Sequence, residues 1–138
     1  LRRTNVRRKT EVSDAEELVR LSQTPDESMR LYREYLEKGD CREAYRYLFI
    51  SLLIQLNTRE LIRIKIFKTN RIYKREILDI GAFDEKMTEA FFELFNLTRF
   101  GGRSISEETL REKYNEYLKM LADADLAVKK RKKGGDSE

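Results

Sequence analysis

At 138 residues, with 40% of them apolar, the chain has the length of one domain and enough apolar side chains to bury a core. It holds no His and a single Cys, Cys41, which excludes His-dependent triads, His-liganded metals, an intrachain disulfide and a Cys-rich zinc site. Its net charge of +4 is an average over unlike parts: Arg2, Arg3, Arg7, Arg8 and Lys9 stand without an acid in residues 1–10, five consecutive bases occupy 129–133, and residues 11–128 set 19 bases against 23 acids. The body is mildly acidic and the basic character belongs to the ends, unlike a nucleic-acid binder with a basic structured face.

Residues 1–12 show no apolar period and read as a mobile basic arm. Ser13-Asp14 offers a helix cap, after which Ala15, Leu18, Val19 and Leu21 make a short amphipathic segment that Pro25 breaks. Asp26 and Glu27 open the next helix with negative charge at its N-terminus, Met29, Tyr32, Tyr35 and Leu36 share one face of it, and Gly39-Asp40 ends it in a tight turn. The helix over 41–57 is apolar nearly all round, the pattern of an element wrapped by others, and it reads as the centre of the core. Residues 61–67 alternate, with Ile62, Ile64 and Ile66 on one side and Arg63 and Lys65 on the other, which predicts a short extended segment against the bundle.

Thr69 caps a helix reaching about Asp79, with Ile72, Tyr73, Ile77 and Ile80 inward. Asp84 starts another, with Met87, Ala90, Phe91, Leu94, Phe95 and Thr98 at helical spacing, and Gly101-Gly102 stops it. Ser106, followed by Glu107 and Glu108, opens the last helix, whose stripe is Leu110, Tyr114, Tyr117, Leu118 and Leu121. Beyond Ala127 the basic run and the residues after it read as a fraying tail. The expectation is an all-α single bundle of five to six helices around the central helix, divided into an arm at 1–12, a helical domain at 13–127 and a flexible tail at 128–138.

The longest apolar stretch, 47–56, is interrupted by Ser51 and Gln55 and falls short of the ~18 apolar residues of a membrane span. No signal peptide is visible after the basic start, and a chain that begins at Leu1 reads as part of something longer. Lys68-Thr69-Asn70-Arg71 gathers cations at a helix start, either as a weak anion site or as an ordinary Thr cap with solvated bases. Glu108, Glu112 and Glu116 form an acidic row, read as solvated and balanced by Arg111 and Lys113 rather than as a metal site. Cys41 lies at a helix N-terminus, which can lower a thiol pKa, but a packing role suits it better. Tyr32, Tyr35, Tyr45 and Tyr47 sit on the hairpin around Gly39-Asp40, a tetratricopeptide-like unit without a second copy, whose rings suit burial better than a partner surface.

Three separated motifs, 39–48 (GDCREAYRYL), 68–73 (KTNRIY) and 97–102 (LTRFGG) followed by Ser106-Glu107-Glu108, resemble a bacterial and archaeal domain of unknown function. That family forms the C-terminal portion of membrane proteins, including ones with a transglutaminase-like domain before it; Phe100 stands where the family commonly has Trp or Tyr. The resemblance covers roughly residues 26–122 and implies no activity, catalytic residue or cofactor. It implies a non-enzymatic interaction or regulatory domain at the cytoplasmic face of the cell membrane, with a protein partner as one contact. It also gives the arm a role: Arg2, Arg3, Arg7, Arg8 and Lys9 would flank a preceding span and favour anionic headgroups. The alternative is a nucleic-acid binder using both basic ends, disfavoured because no aromatic side chain is interleaved with the bases. Transglutaminase-like chemistry would need a Cys–His pair, and no small-molecule substrate site is evident.

Overall fold

A computed structural model describes the backbone of residues 2–136 and the side chains of 6–134. Among the described residues the fold is all-α, with six helices in the order α1 (Arg2–Ser22), α2 (Glu27–Glu37), α3 (Cys41–Thr58), α4 (Asn70–Ile80), α5 (Glu85–Arg99) and α6 (Glu107–Asp136). Four starts are capped by side chains, three of them at the residues read as helix starts and one, Asp40, at a position read only as a turn. The Asp40 carboxylate accepts from Glu43 N at 3.2 Å, Thr69 Oγ1 from Ile72 N at 3.4 Å, Asp84 from Met87 N at 2.8 Å and Ser106 Oγ from Thr109 N at 3.1 Å.

α3 is the axis of the bundle. Every residue from Tyr47 to Ile54 is buried, as are Ala44, Tyr45 and Leu56, and α1, α2, α5 and α6 all pack against it. Phe49 sits in an aromatic stack supplied by α5, 4.0 Å from the Phe95 ring centre and edge-on to Phe92 at 4.9 Å. Two α3 hydroxyls are matched inside the core: Tyr45 Oη donates to the Phe91 carbonyl at 2.6 Å, and Ser51 Oγ pairs with Tyr117 Oη at 2.8 Å. α3 ends in a left-handed, non-glycine residue, Glu60, with φ of 59°.

The two glycines after α5 serve geometry. A Cβ on Gly101 would stand 2.8 Å from the Leu97 carbonyl oxygen, and Gly102 has φ of +69°, so the reversal into α6 requires both.

Several expectations are corrected. No break or cap occurs at Ser13-Asp14; α1 is helical from Arg2, so residues 2–12 are not a separate arm in backbone terms, and Leu1 lies outside the described residues. Arg and Lys are good helix formers, Arg7 Nε donates to Glu11 at 2.9 Å one turn on, and Asp14 is anchored to other helices. Of the frayed tail expected over 128–138, residues 128–136 are instead the end of α6, where Lys and Arg complement the helix dipole and Arg131 Nη1 donates to the Glu60 carbonyl at 3.3 Å; residues 137–138 lie outside the described residues. The segment at 61–67 forms no strand; Leu61 and Ile62 are buried, whereas Ile66 turns outward. Ile72, Ala90 and Leu118, expected inward, lie on the outside, while Phe92, Met120 and Ala124 are buried.

Two outcomes follow. Phe49→Ala should cost ~3–5 kcal/mol of unfolding free energy in chemical denaturation, since the stack leaves little room to collapse. Burial raises the pKa of Tyr45, Tyr73 and Tyr117 above the ordinary value near 10. Each therefore keeps its proton in the fold where the unfolded chain ionises, so their contribution is complete below about pH 10 and declines as pH rises beyond it. Urea midpoints measured from about pH 8 to about pH 11 should be level at first and then fall. Tyr45→Phe should reduce that fall.

Candidate functional site

α1 has few apolar anchors and is held largely by charge. Arg46 of α3, only 11% exposed in its side chain, donates to Asp14 at 3.2 Å and also to Glu17, and its other terminal nitrogen reaches Glu43 at 3.4 Å. Asp14 accepts from Arg99 of α5 as well, in a two-pronged contact at 2.7 and 3.0 Å. Tyr47 Oη donates to Glu17 at 3.3 Å. Burial works against the charge on Arg46, but Glu17 and Asp14, with Tyr47 and Glu43, outweigh it and raise the guanidinium pKa. One carboxylate on α1 thus ties together three helices.

This tether places the first half of α1 over a cleft of about 340 Å³ between α1 and the start of α4. Phe49, Ile50 and Leu53 of α3 supply its floor with Phe95 of α5, and Arg7 and Arg8 face Lys68, Thr69, Asn70 and Arg71 around its rim. The structure therefore brings together two groups of residues that the sequence singles out separately. Arg7 also lies over the Phe100 ring, 4.4 Å from its centre, so the aromatic before the paired glycines is a seat for α1. Lys9 is exposed on the outer side of the same helix. The side chains of Arg2 and Arg3 lie outside the described residues.

The Lys68-Thr69-Asn70-Arg71 group divides. Thr69 caps α4, Lys68 Nζ is committed to Glu76 at 3.0 Å and to the Arg63 carbonyl at 2.7 Å, and Arg71 is exposed. Lys68 is therefore a structural cation that pins the connector.

The two basic ends do not form one patch. α3 and α6 run in the same direction, because Ser51 meets Tyr117, Arg59 Nε donates to Asp125 at 2.7 Å, and Glu60 meets Arg131. Residues 129–133 thus leave at the C-terminal end of α3. Arg7 lies at the opposite end, beside Phe100 and the Arg42–Thr98 contact. Eighteen residues of α3 put about 27 Å between those ends. A joint contact of both basic runs with one surface would need them on one side, and the described parts of the two runs lie at opposite ends of α3.

Other candidates settle into packing. Tyr32 stacks on Tyr114 and Tyr35 on Tyr47, with ring centres 5.7 and 5.6 Å apart. Cys41 is partly buried, and burial, with Glu107 and Asp40 nearby, pushes its thiol pKa up rather than down. In the acidic row Glu116 pairs with Lys113 at 3.1 Å, and among the described residues no cluster of three or more potential metal-ligating His, Cys, Asp or Glu side chains forms. Among the described residues no helix is long and apolar enough to cross a membrane. Compared with known family models, curated proteins and solved structures, the chain matches none.

Asp14→Ala should cost about 2–3 kcal/mol, because it strips a partner from a nearly buried guanidinium. Glu11→Ala, which removes only the exposed pair with Arg7, should cost no more than about 1 kcal/mol. Denaturant melts of the two variants check the contrast.

Proposed function

We propose that the chain is a non-enzymatic helical interaction domain of a membrane protein, held at the cytoplasmic surface by the basic face of α1. The membrane context rests on the resemblance of its three motifs. The surface reading rests on charge, and one observation carries it: Arg7, Arg8 and Lys9 stand exposed on a helix whose position is set by the Asp14–Arg46–Arg99 cluster. Cations near an anionic leaflet each contribute about 1 kcal/mol, and a rigid helix presents Arg8 and Lys9, which line one surface hollow, without the ordering cost of a loose arm. The cleft beside them is lined by further cations, Lys68 and Arg71, which adds to the positive charge on that side. Nucleic acid is a poorer fit, since the basic ends lie on opposite sides of the bundle and give no continuous track for a phosphate backbone.

Co-sedimentation with phosphatidylcholine vesicles, with and without phosphatidylserine, tests this reading. Binding should require the anionic lipid and weaken with added salt. Reversing Arg8 and Lys9 together to Glu should lower partitioning at least about thirty-fold, the equivalent of two lost bases. Equal binding to both vesicle types would remove the proposal.

A further inference from the structure

The connector between α3 and α4 contains a turn whose chemistry is inverted. Lys68 N donates to the Lys65 carbonyl at 3.1 Å, closing a four-residue turn with Ile66 and Phe67 at its two central positions. Those positions ordinarily hold Gly, Pro, Asn, Asp or Ser, which suit solvent and tight backbone geometry. Here they hold two large apolar side chains, 52% and 75% exposed. The turn is also firmly held. Tyr73 Oη both accepts from Lys65 N and donates to Lys65 O, each at 3.1 Å; Asn57 Oδ1 accepts from Ile64 N at 3.0 Å; Lys68 Nζ grips the Arg63 carbonyl. A buried tyrosine and two further hydrogen bonds therefore support a loop tip that puts Phe67 in water.

The charge around this tip has one sign. Residues 61–71 contain Arg63, Lys65, Lys68 and Arg71 and no acid. Of the carboxylates nearby, Glu76 is paired with Lys68 and Glu11 with Arg7, while Glu60 and Asp79 lie on the Arg63 side of the connector. Arg8 reaches the same cleft from α1. Among the described residues Arg8, Arg63, Lys65 and Arg71 form no ion pair, so they stand available around an apolar apex.

We infer that the Ile66–Phe67 turn is a membrane anchor, which inserts its two apolar side chains between the acyl chains of an anionic bilayer while the surrounding cations meet headgroup phosphates. This rests on the surface attachment proposed above and adds penetration to it. Ile66 and Phe67 also line the cleft beside α1. A bilayer suits a rigid, exposed apolar turn with cations around it, because long basic side chains reach headgroups while the apolar tip goes deeper. An acidic protein groove or a second copy of the chain are the competing occupants, and the experiment separates them.

The chain has no Trp, so Phe67→Trp creates a single reporter at an exposed position that the fold does not need. With phosphatidylserine-containing vesicles its emission should shift to the blue and be quenched by lipids brominated on the acyl chain. Phe67→Ser should keep the helical circular dichroism and melting temperature of the parent chain. It should lower vesicle partitioning roughly ten-fold, and the binding that remains should be more salt-sensitive. Binding without acyl-chain quenching overturns the anchor and leaves surface attachment standing. No vesicle binding by the parent chain overturns both. A change in self-association on Phe67→Ser, or Trp burial by an acidic peptide without any response to vesicles, overturns the anchor in favour of a protein contact.

Discussion

The fold depends on the need to cover α3 on every side. A helix with apolar residues around its whole circumference has no orientation that suits a surface, so the chain must supply neighbours for each face. α2 folds back along it through the Gly39-Asp40 turn, α5 brings Phe91, Phe92 and Phe95, and α6 brings Tyr117 to Ser51. The hydroxyls of Tyr45 and Ser51 on this axis meet partners on α5 and α6, which fixes rotation and register as well as proximity.

α1 joins this assembly by a different force. Apart from Leu18 and Leu21 it has few buried apolar side chains, and its position is set by Asp14 and Glu17 converging on Arg46, with Arg99 closing the cluster. A buried ion cluster contributes less net stability than an apolar contact of the same size, but it tolerates only one geometry. That geometry carries the basic turn of α1 to the cleft and sets Arg7 over Phe100. Charge on α1 and apolar exposure at Phe67 meet on one face because separate elements, the ion cluster and the connector's hydrogen bonds, deliver them there.

Local signals were legible residue by residue. Thr69, Asp84 and Ser106 read as helix starts because a short polar side chain before an apolar period satisfies free backbone N–H groups without outside help, whereas Asp40, read only as part of a turn, also caps α3. The paired glycines read as a reversal for an equally local reason. The start of α1 was not legible, since its support comes from residues 32 to 93 positions away. Alternation over 61–67 misled because a period of two implies a neighbouring strand, whereas the connector is pinned by Tyr73, Asn57 and Lys68 and is free to turn Ile66 outward.

By itself the sequence determined the helical class, the central place of the helix near 41–57 and the uneven distribution of charge, because these follow from composition and short-range periodicity. The tertiary structure alone decided that Arg7 and Arg8 face Lys68, Thr69, Asn70 and Arg71, that Phe100 seats α1, that the two basic ends part company, and that Phe67 crowns a rigid turn. Each of those depends on which distant side chains become neighbours, and hydrophobic period carries no information about that pairing. It is settled only when the covering of α3 and the matching of buried charges are satisfied together.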